Sequence, residues 1–285
     1  MPRRTILDRI LHLDPVGDHH EIVYLDSCYE FPWDTTRSLE FALFRTFAVP
    51  TIGALLDQTG EFGQRPQKRY DDTDLIVSEI LEHGYDSERG RAALRRMNRL
   101  HGRFDITNDD FLYVLSTFVF EPIRWNARFG WREMVEQEKL AQFYYWREVG
   151  RHMNIHSIPD DYAAFERYNV EYEAQHFRFT EANRRVAAST RDMFLGWLLP
   201  RPLFGLGKPF VYALMDEPLL DAFGFPRPSP GMRRFVEGAL KMRARILRLW
   251  PERRRPRLRT TLKRPTYPKG YQIEDLGPVA TPTGP

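Results

Sequence analysis

The sequence predicts an all-α protein, a single globular helical domain, and three observations carry that prediction. Apolar side chains return at three- and four-residue steps over most of the chain, two-residue alternation is scarce, and capping residues punctuate the periodic runs. The chain has 285 residues, of which 42% are apolar and 14% aromatic, which is enough for a substantial core with bulky rings left over to line a pocket.

Taken in order, the run 36–47 sets Leu39, Leu43 and Phe47 on one stripe, and Pro50 ends or kinks it. Helices are then predicted over 72–81, 88–104, 109–128, 132–153 and 160–188. Thr107-Asn108-Asp109-Asp110 and Ser157-Ile158-Pro159-Asp160-Asp161 offer capping oxygens and early acids, so each marks a helix start, while Gly130 and Asn154 are natural stops. A last helix is expected over 231–249. The helical domain is thus assigned to 1–250, and 251–285 is read as a basic, Pro-rich C-terminal tail of low order.

Composition excludes several classes. The single cysteine, Cys28, permits no intrachain disulfide and reads as a small buried hydrophobe. With no C-x-x-C-H run, a haem could not be held by thioether links. Met1-Pro2-Arg3-Arg4 is followed by no unbroken apolar stretch, so no signal peptide is expected. The best apolar run, 194–210, is interrupted by Pro200, Arg201, Pro202 and Lys208, too broken to cross a bilayer. The expected location is cytoplasmic, peripheral to a membrane at most.

The net charge of +3 hides an asymmetry. From Lys241 to Arg264 eleven Lys or Arg stand against Glu252 alone, a local excess of ten that leaves the remainder seven charges negative. With Ile246, Leu247, Leu249 and Trp250 among them, this segment suits an anionic membrane surface better than nucleic acid, the plain alternative being a solvated arm.

Chemistry points first to His101. Leu94, Met97, His101 and Phe104 follow a 3-4-3 spacing, so His101 faces inward. On the residues alone it is either a core histidine hydrogen-bonded to a carbonyl or the axial ligand of a haem iron. Other motifs fail. His152 and His156 stand four apart, but Met153 occupies the place where a zinc protease needs glutamate. Gly205-Leu206-Gly207-Lys208 lacks the spacing of a phosphate loop and reads as a turn, and His176, beside Tyr168, Tyr172 and Phe179, reads as a packing residue.

The run from Arg95 to Phe104 with His101 inside it, followed by Ile106-Thr107-Asn108-Asp109-Asp110-Phe111, resembles the core signature of the MpaB-like oxygenases, the family that also holds the latex-clearing rubber oxygenases. Phe41 to Pro50, Thr59-Gly60-Glu61-Phe62 and Lys68-Arg69-Tyr70-Asp71-Asp72-Thr73 look like its lead-in. Glu138-Lys139, Tyr145 to Gly150, Ile158-Pro159 and the stretch from Phe165 to Arg184 look like its continuation, so the resemblance covers about 38–200. It implies a b-type haem with His101 as proximal iron ligand and with Arg69 and Thr73 on the distal side. On one helix, residues four apart share a face, so this guanidinium and hydroxyl could converge on one oxygen atom; alternatively Arg69 pairs with Asp71 or a nearby acid and Thr73 caps the helix that follows. Where the rubber oxygenases carry a lysine just before the threonine, this chain has Asp72, which could hold Arg69 or transfer a proton. The family's distal carboxylate base has no clear counterpart: Glu61 is the nearest candidate, and surface exposure is the reading favoured for it.

The resemblance implies an enzyme that uses dioxygen and haem b to oxygenate an apolar small-molecule or lipid substrate, with cleavage of an isoprenoid double bond as its chemistry. Two other functions stay open: a haem-binding or sensing protein without turnover, and a membrane-surface adaptor that uses the basic segment and no cofactor.

Overall fold

Proline and small polar residues set where the helices begin. The computed structural model describes residues 5–278, which form α1 (Thr5–Leu11), α2 (His19–Leu25), α3 (Pro32–Phe47), α4 (Pro50–Gln58), α5 (Glu61–Gln64), α6 (Pro66–His83) and α7 (Glu88–His101) in the first part of the chain. There follow α8 (Asn108–Phe129), α9 (Glu136–His152), α10 (Tyr162–His176), α11 (Glu181–Gly196), α12 (Phe204–Tyr212), α13 (Glu217–Phe223) and α14 (Pro230–Leu249). No strand occurs among the described residues, so the architecture is all-α. The basic start at Met1-Pro2-Arg3-Arg4 and the end of the expected tail, 279–285, lie outside the described residues.

Pro32, Pro50, Pro66, Pro218 and Pro230 occupy first-turn positions, where a missing N–H costs nothing. Thr107 and Asp161 cap α8 and α10 by accepting from the amides of Asp110 and Ala164, as the spacing predicts. Pro50 does end its run, and it also opens α4 at 97° to α3. No single helix among the described residues is long and apolar enough to cross a membrane.

Three expectations are corrected. The run 160–188 is not one helix: it breaks at Phe177, and Thr180 caps α11 by accepting from Asn183 N. Asn183 Nδ2 then donates to the carbonyls of Ala48 and Arg178, tying the break to the end of α3. The apolar period passes through the break unaltered, and neither Gly nor Pro flags it. Gly205 to Lys208 is part of helix α12, whose later Pro209 is accommodated within it, rather than a turn. The segment from 251 to 278 is well held rather than of low order, because it meets the acids of α6.

That segment crosses α6 from end to end. Arg259 Nε and the Arg264 guanidinium both reach Asp74, the backbone amides of Arg259 and Thr260 donate to Glu82, and Thr266 N donates to Asp71 at 3.1 Å. Tyr267 and Tyr271 hydroxyls donate to Asp72 and Glu79, each at 2.5 Å. Leu276 is fully buried, and its carbonyl accepts from Arg96 Nε at 2.6 Å.

The core has two parts. One is built on α2, α6, α8 and α9 around Ile22, Leu75, Phe120, Phe143 and Tyr145; the other gathers Phe44, Phe47, Val186, Leu220 and Phe223 from α3, α11 and α13. Between α4 and α11 the approach is close: a Cβ on Gly53 would lie 1.9 Å from Asn183 Oδ1, so only glycine permits this packing.

Candidate active site

A cavity of about 590 Å³ borders both core clusters and is walled by α3, α4, α6, α7, α8, α9 and α11. Its walls are largely apolar, with Leu43, Phe47, Ile76, Met97, Phe111 and Phe118 among them, and this size and character suit a drug-sized or larger apolar ligand. His101, Arg69, Thr73 and Asp72, the four residues expected at the site, all line it.

His101 is the last residue of α7, held against the Phe111 ring at 5.4 Å between centroids. Its Nδ1 is buried and has no hydrogen-bond partner. Burial and the Arg69 guanidinium push the imidazole down to about 4, so it is neutral at physiological pH with a lone pair to give. A core histidine bonded to a carbonyl is therefore not what the structure shows. An unsatisfied buried nitrogen costs on the order of 1–3 kcal/mol, which a bond to a ligand would offset.

Arg69 and Thr73 lie one turn apart on α6, as their spacing predicts. An Arg69 Nη donates to Thr73 Oγ1, and Thr73 Oγ1 in turn donates to the Arg69 carbonyl at 3.0 Å. The guanidinium lies 5.4 Å from the Phe62 ring centroid. Burial pulls its affinity for the proton down, opposed by the carboxylates of Asp72 and Glu61. Arg69 does not pair with Asp71, which binds Gln67 and Thr266 instead, and Thr73 sits inside α6 rather than capping it.

Asp72 is buried, but its carboxylate does not hydrogen-bond Arg69. Both oxygens accept from Lys68 Nζ at 3.0 Å, and one accepts from Tyr267. Asp72 thus fastens α6 to the C-terminal segment while touching the cavity. Glu61 is buried and lines the cavity, where surface exposure was expected; Arg65, one turn on, binds its carboxylate.

Glu40 and Tyr70 are the residues that sequence reasoning missed. Tyr70 Oη donates to Glu40 Oε1 at 2.7 Å, Arg37 donates to the same oxygen at 2.6 Å, and burial raises the Glu40 carboxyl to about 7 against the pull of Arg37 and Tyr70. Both also line a narrow chamber of about 50 Å³ that shares Thr73 with the main cavity and reaches Cys28 and Arg257. The available signal was the 3-4 spacing of Glu40, Leu43 and Phe47, which puts the carboxyl on the inward stripe.

The residues not expected here stay out of the main cavity. His176 stacks on Tyr172 with ring centroids 3.9 Å apart, and its Nδ1 lies 2.9 Å from the Tyr172 carbonyl, so it packs as predicted. Cys28 is buried, and burial pushes its thiol up to about 12, an inert small hydrophobe. His152 stands 3.9 Å from Asp86 and has no third ligand; among the described residues no three His, Cys, Asp or Glu side chains gather to hold a bare metal ion. Iron in this cavity would thus depend on His101 and on ligands the protein does not supply, which is the donor set of a porphyrin rather than of a two-histidine, one-carboxylate site.

A family model described as the ER-bound oxygenase mpaB/B'/rubber oxygenase catalytic domain matches residues 38–248. Among curated proteins, the chain is similar to ER-bound oxygenase mpaB' of Penicillium brevicompactum, 31% identical over 238 residues that make up 77% of this chain and 56% of that protein. It is also similar to ER-bound oxygenase mpaB of Penicillium roqueforti (strain FM164), 30% identical over 212 residues, 68% of this chain and 70% of that one. A third relative, ER-bound oxygenase mpaB of Penicillium brevicompactum, is 30% identical over 220 residues, 70% of this chain. The chain spans little more than half the length of two of these three relatives. Since the family match covers residues 38–248, most of the chain, this protein belongs to the MpaB and rubber oxygenase catalytic-domain family.

Proposed function

We propose that this protein is a haem-b-dependent oxygenase acting on an apolar, alkene-bearing substrate of isoprenoid character. The observation that carries the reading is the neutral His101 imidazole, with a buried and partnerless nitrogen, on the wall of a large apolar cavity that also holds Arg69 and Thr73. The family's oxygenase activity supports it. Haem, when bound, would supply the binding of dioxygen and its activation towards carbon.

The chain's own residues supply the rest. His101 is the candidate axial ligand, because a neutral ring can donate its lone pair without first losing a proton. Arg69 retains donors beyond the one given to Thr73, and aimed at developing negative charge in a cavity of low dielectric they stabilise it more than water would. The apolar walls admit a hydrocarbon and exclude water. Glu40, raised to about 7, can take up or release a proton at its Oε atoms near neutral pH, and Tyr70 Oη orients it.

An absorption spectrum of the freshly purified protein, followed by acid–acetone extraction, tests this reading. A Soret band whose pigment moves into the organic phase is expected, and His101→Ala should lose most of that pigment. A protein that stays colourless after haem is added would overturn the proposal. The second reading, a haem protein without turnover, is favoured if pigment is present but oxygen consumption does not respond to isoprenoid lipids.

A further inference from the structure

A long stretch of exposed apolar surface lies away from the cavity, on α14. Across that helix the inward face carries Val236, Leu240, Arg243, Ala244 and Leu247; Arg243 binds Asp34 and lies over the Trp33 ring at 3.8 Å. A second apolar stripe runs along a different face: Phe235, Ala239, Met242, Ile246 and Leu249, spaced 4-3-4-3, with Trp250 at its end. These side chains should be covered in a protein of this kind, yet Phe235 is 64% exposed, Ile246 54%, Leu249 84% and Trp250 63%.

Two further observations say what covers them. Helix α12 extends the surface: Phe210 meets Phe235 edge to face at 6.2 Å, and Leu206, one turn earlier on α12, is 71% exposed. Beside the stripe on α14 stand Arg234, Lys241 and Arg245, all exposed and in no salt bridge with a described residue, whereas the helix's single acid, Glu237, is turned to Arg128. An apolar stripe about 20 Å long with an aromatic end and a flank of free cations fits the boundary between the headgroups and acyl chains of an anionic bilayer.

We infer that α12 and α14 form a membrane-docking face, with α14 lying in the plane of an anionic lipid surface. This places the contact expected from the basic segment 241–264 on its helical part, α14. Within the basic segment, Arg243, Arg259 and Arg264 are spent on Asp34 and Asp74 inside the protein, whereas Lys241 and Arg245 face outward beside the stripe. The inference is independent of the cofactor.

Flotation of the full chain with phosphatidylcholine vesicles, with and without phosphatidylserine, tests it. The native protein should float, and more strongly with the anionic lipid. Ile246→Glu with Leu249→Glu should reduce binding by at least about a hundredfold, since each takes an apolar side chain out of the acyl boundary. Lys241→Glu with Arg245→Glu should abolish the preference for phosphatidylserine. Val16→Glu with Val170→Glu adds the same charge on exposed sites elsewhere and should bind as the native protein does; circular dichroism confirms the fold of each variant. Equal flotation of the native and Ile246/Leu249 proteins would overturn the inference. So would sedimentation showing a native dimer that these two substitutions dissociate without any vesicle binding, which would assign the face to a second copy.

Discussion

A guanidinium that loses its water must find its hydrogen bonds elsewhere, and among the described residues Arg69 finds one, to Thr73. Arg69→Ala and Thr73→Val should therefore keep bound pigment and lose turnover, by about a hundredfold to a thousandfold for the arginine if it acts as an electrostatic donor. His176→Ala, packed away from both chambers, and Cys28→Ala, which meets only the narrow one, should change neither. Pigment loss in the Arg69 variant with an unchanged rate per haem would contradict this division of roles. Glu40 makes a second prediction. Its carboxyl titrates near 7 in the folded protein and at its ordinary 4.5 when unfolded. Between those values the folded state holds more protons, so Glu40 lowers stability as pH rises through the window, by up to roughly 3 kcal/mol above it. Glu40→Gln should be more stable than the native protein near pH 8, and the gap should close as pH falls below the ordinary carboxylate range. Urea denaturation across pH measures this, and parallel curves would mean that Glu40 ionises normally.

At the scale of elements, α6 carries both the site and the anchor points of the C-terminal segment. Arg264→Ala removes a charged hydrogen bond from Asp74 and should cost about 1.5–3 kcal/mol by chemical denaturation. Truncation after Trp250 should cost more, because Asp71, Asp72, Asp74, Glu79 and Glu82 all lose partners. A truncated protein of native stability would refute that. Gly53→Ala, pressed against Asn183, should destabilise by roughly 1–3 kcal/mol. Local order was legible in the sequence: the longer helices α3, α6 to α9 and α14, the caps at Thr107 and Asp161, the inward His101 and the shared face of Arg69 and Thr73 all follow from spacing or chemistry within a few residues, whereas the short helices α1, α2, α4, α5 and α13 carry too few turns to show a period. Part of what escaped depends on partners nearly 200 positions apart. The acids of α6 look like a solvated face until Arg259 and Tyr267 are laid against them, and Glu61 looks exposed until the wall around it is closed.

For the molecule as a whole, one cavity touching two cores makes ligand binding a global event. Haemin added at a hundred times its Kd should stabilise the folded state by about 2.7 kcal/mol, a rise in Tm on the order of 5 °C. Calorimetry should show one transition moving as a unit. Two transitions, with only one responding to haemin, would show that the cores unfold apart and that the cavity belongs to a single one.

The hydrogen bonds from Arg259, Arg264 and Tyr267 to α6 also carry information about time. A ribosome adding about 5–20 residues each second takes roughly 10–40 s to travel from Asp74 to Arg264. Throughout that interval the nascent chain presents Asp74 and Glu82 of α6 without the partners that the C-terminal segment brings, and the neighbouring wall without Gly277 and Pro278. The pocket is thus finished only after nearly all of the chain has emerged, and a prosthetic group would be captured by a completed polypeptide rather than built in as it grows.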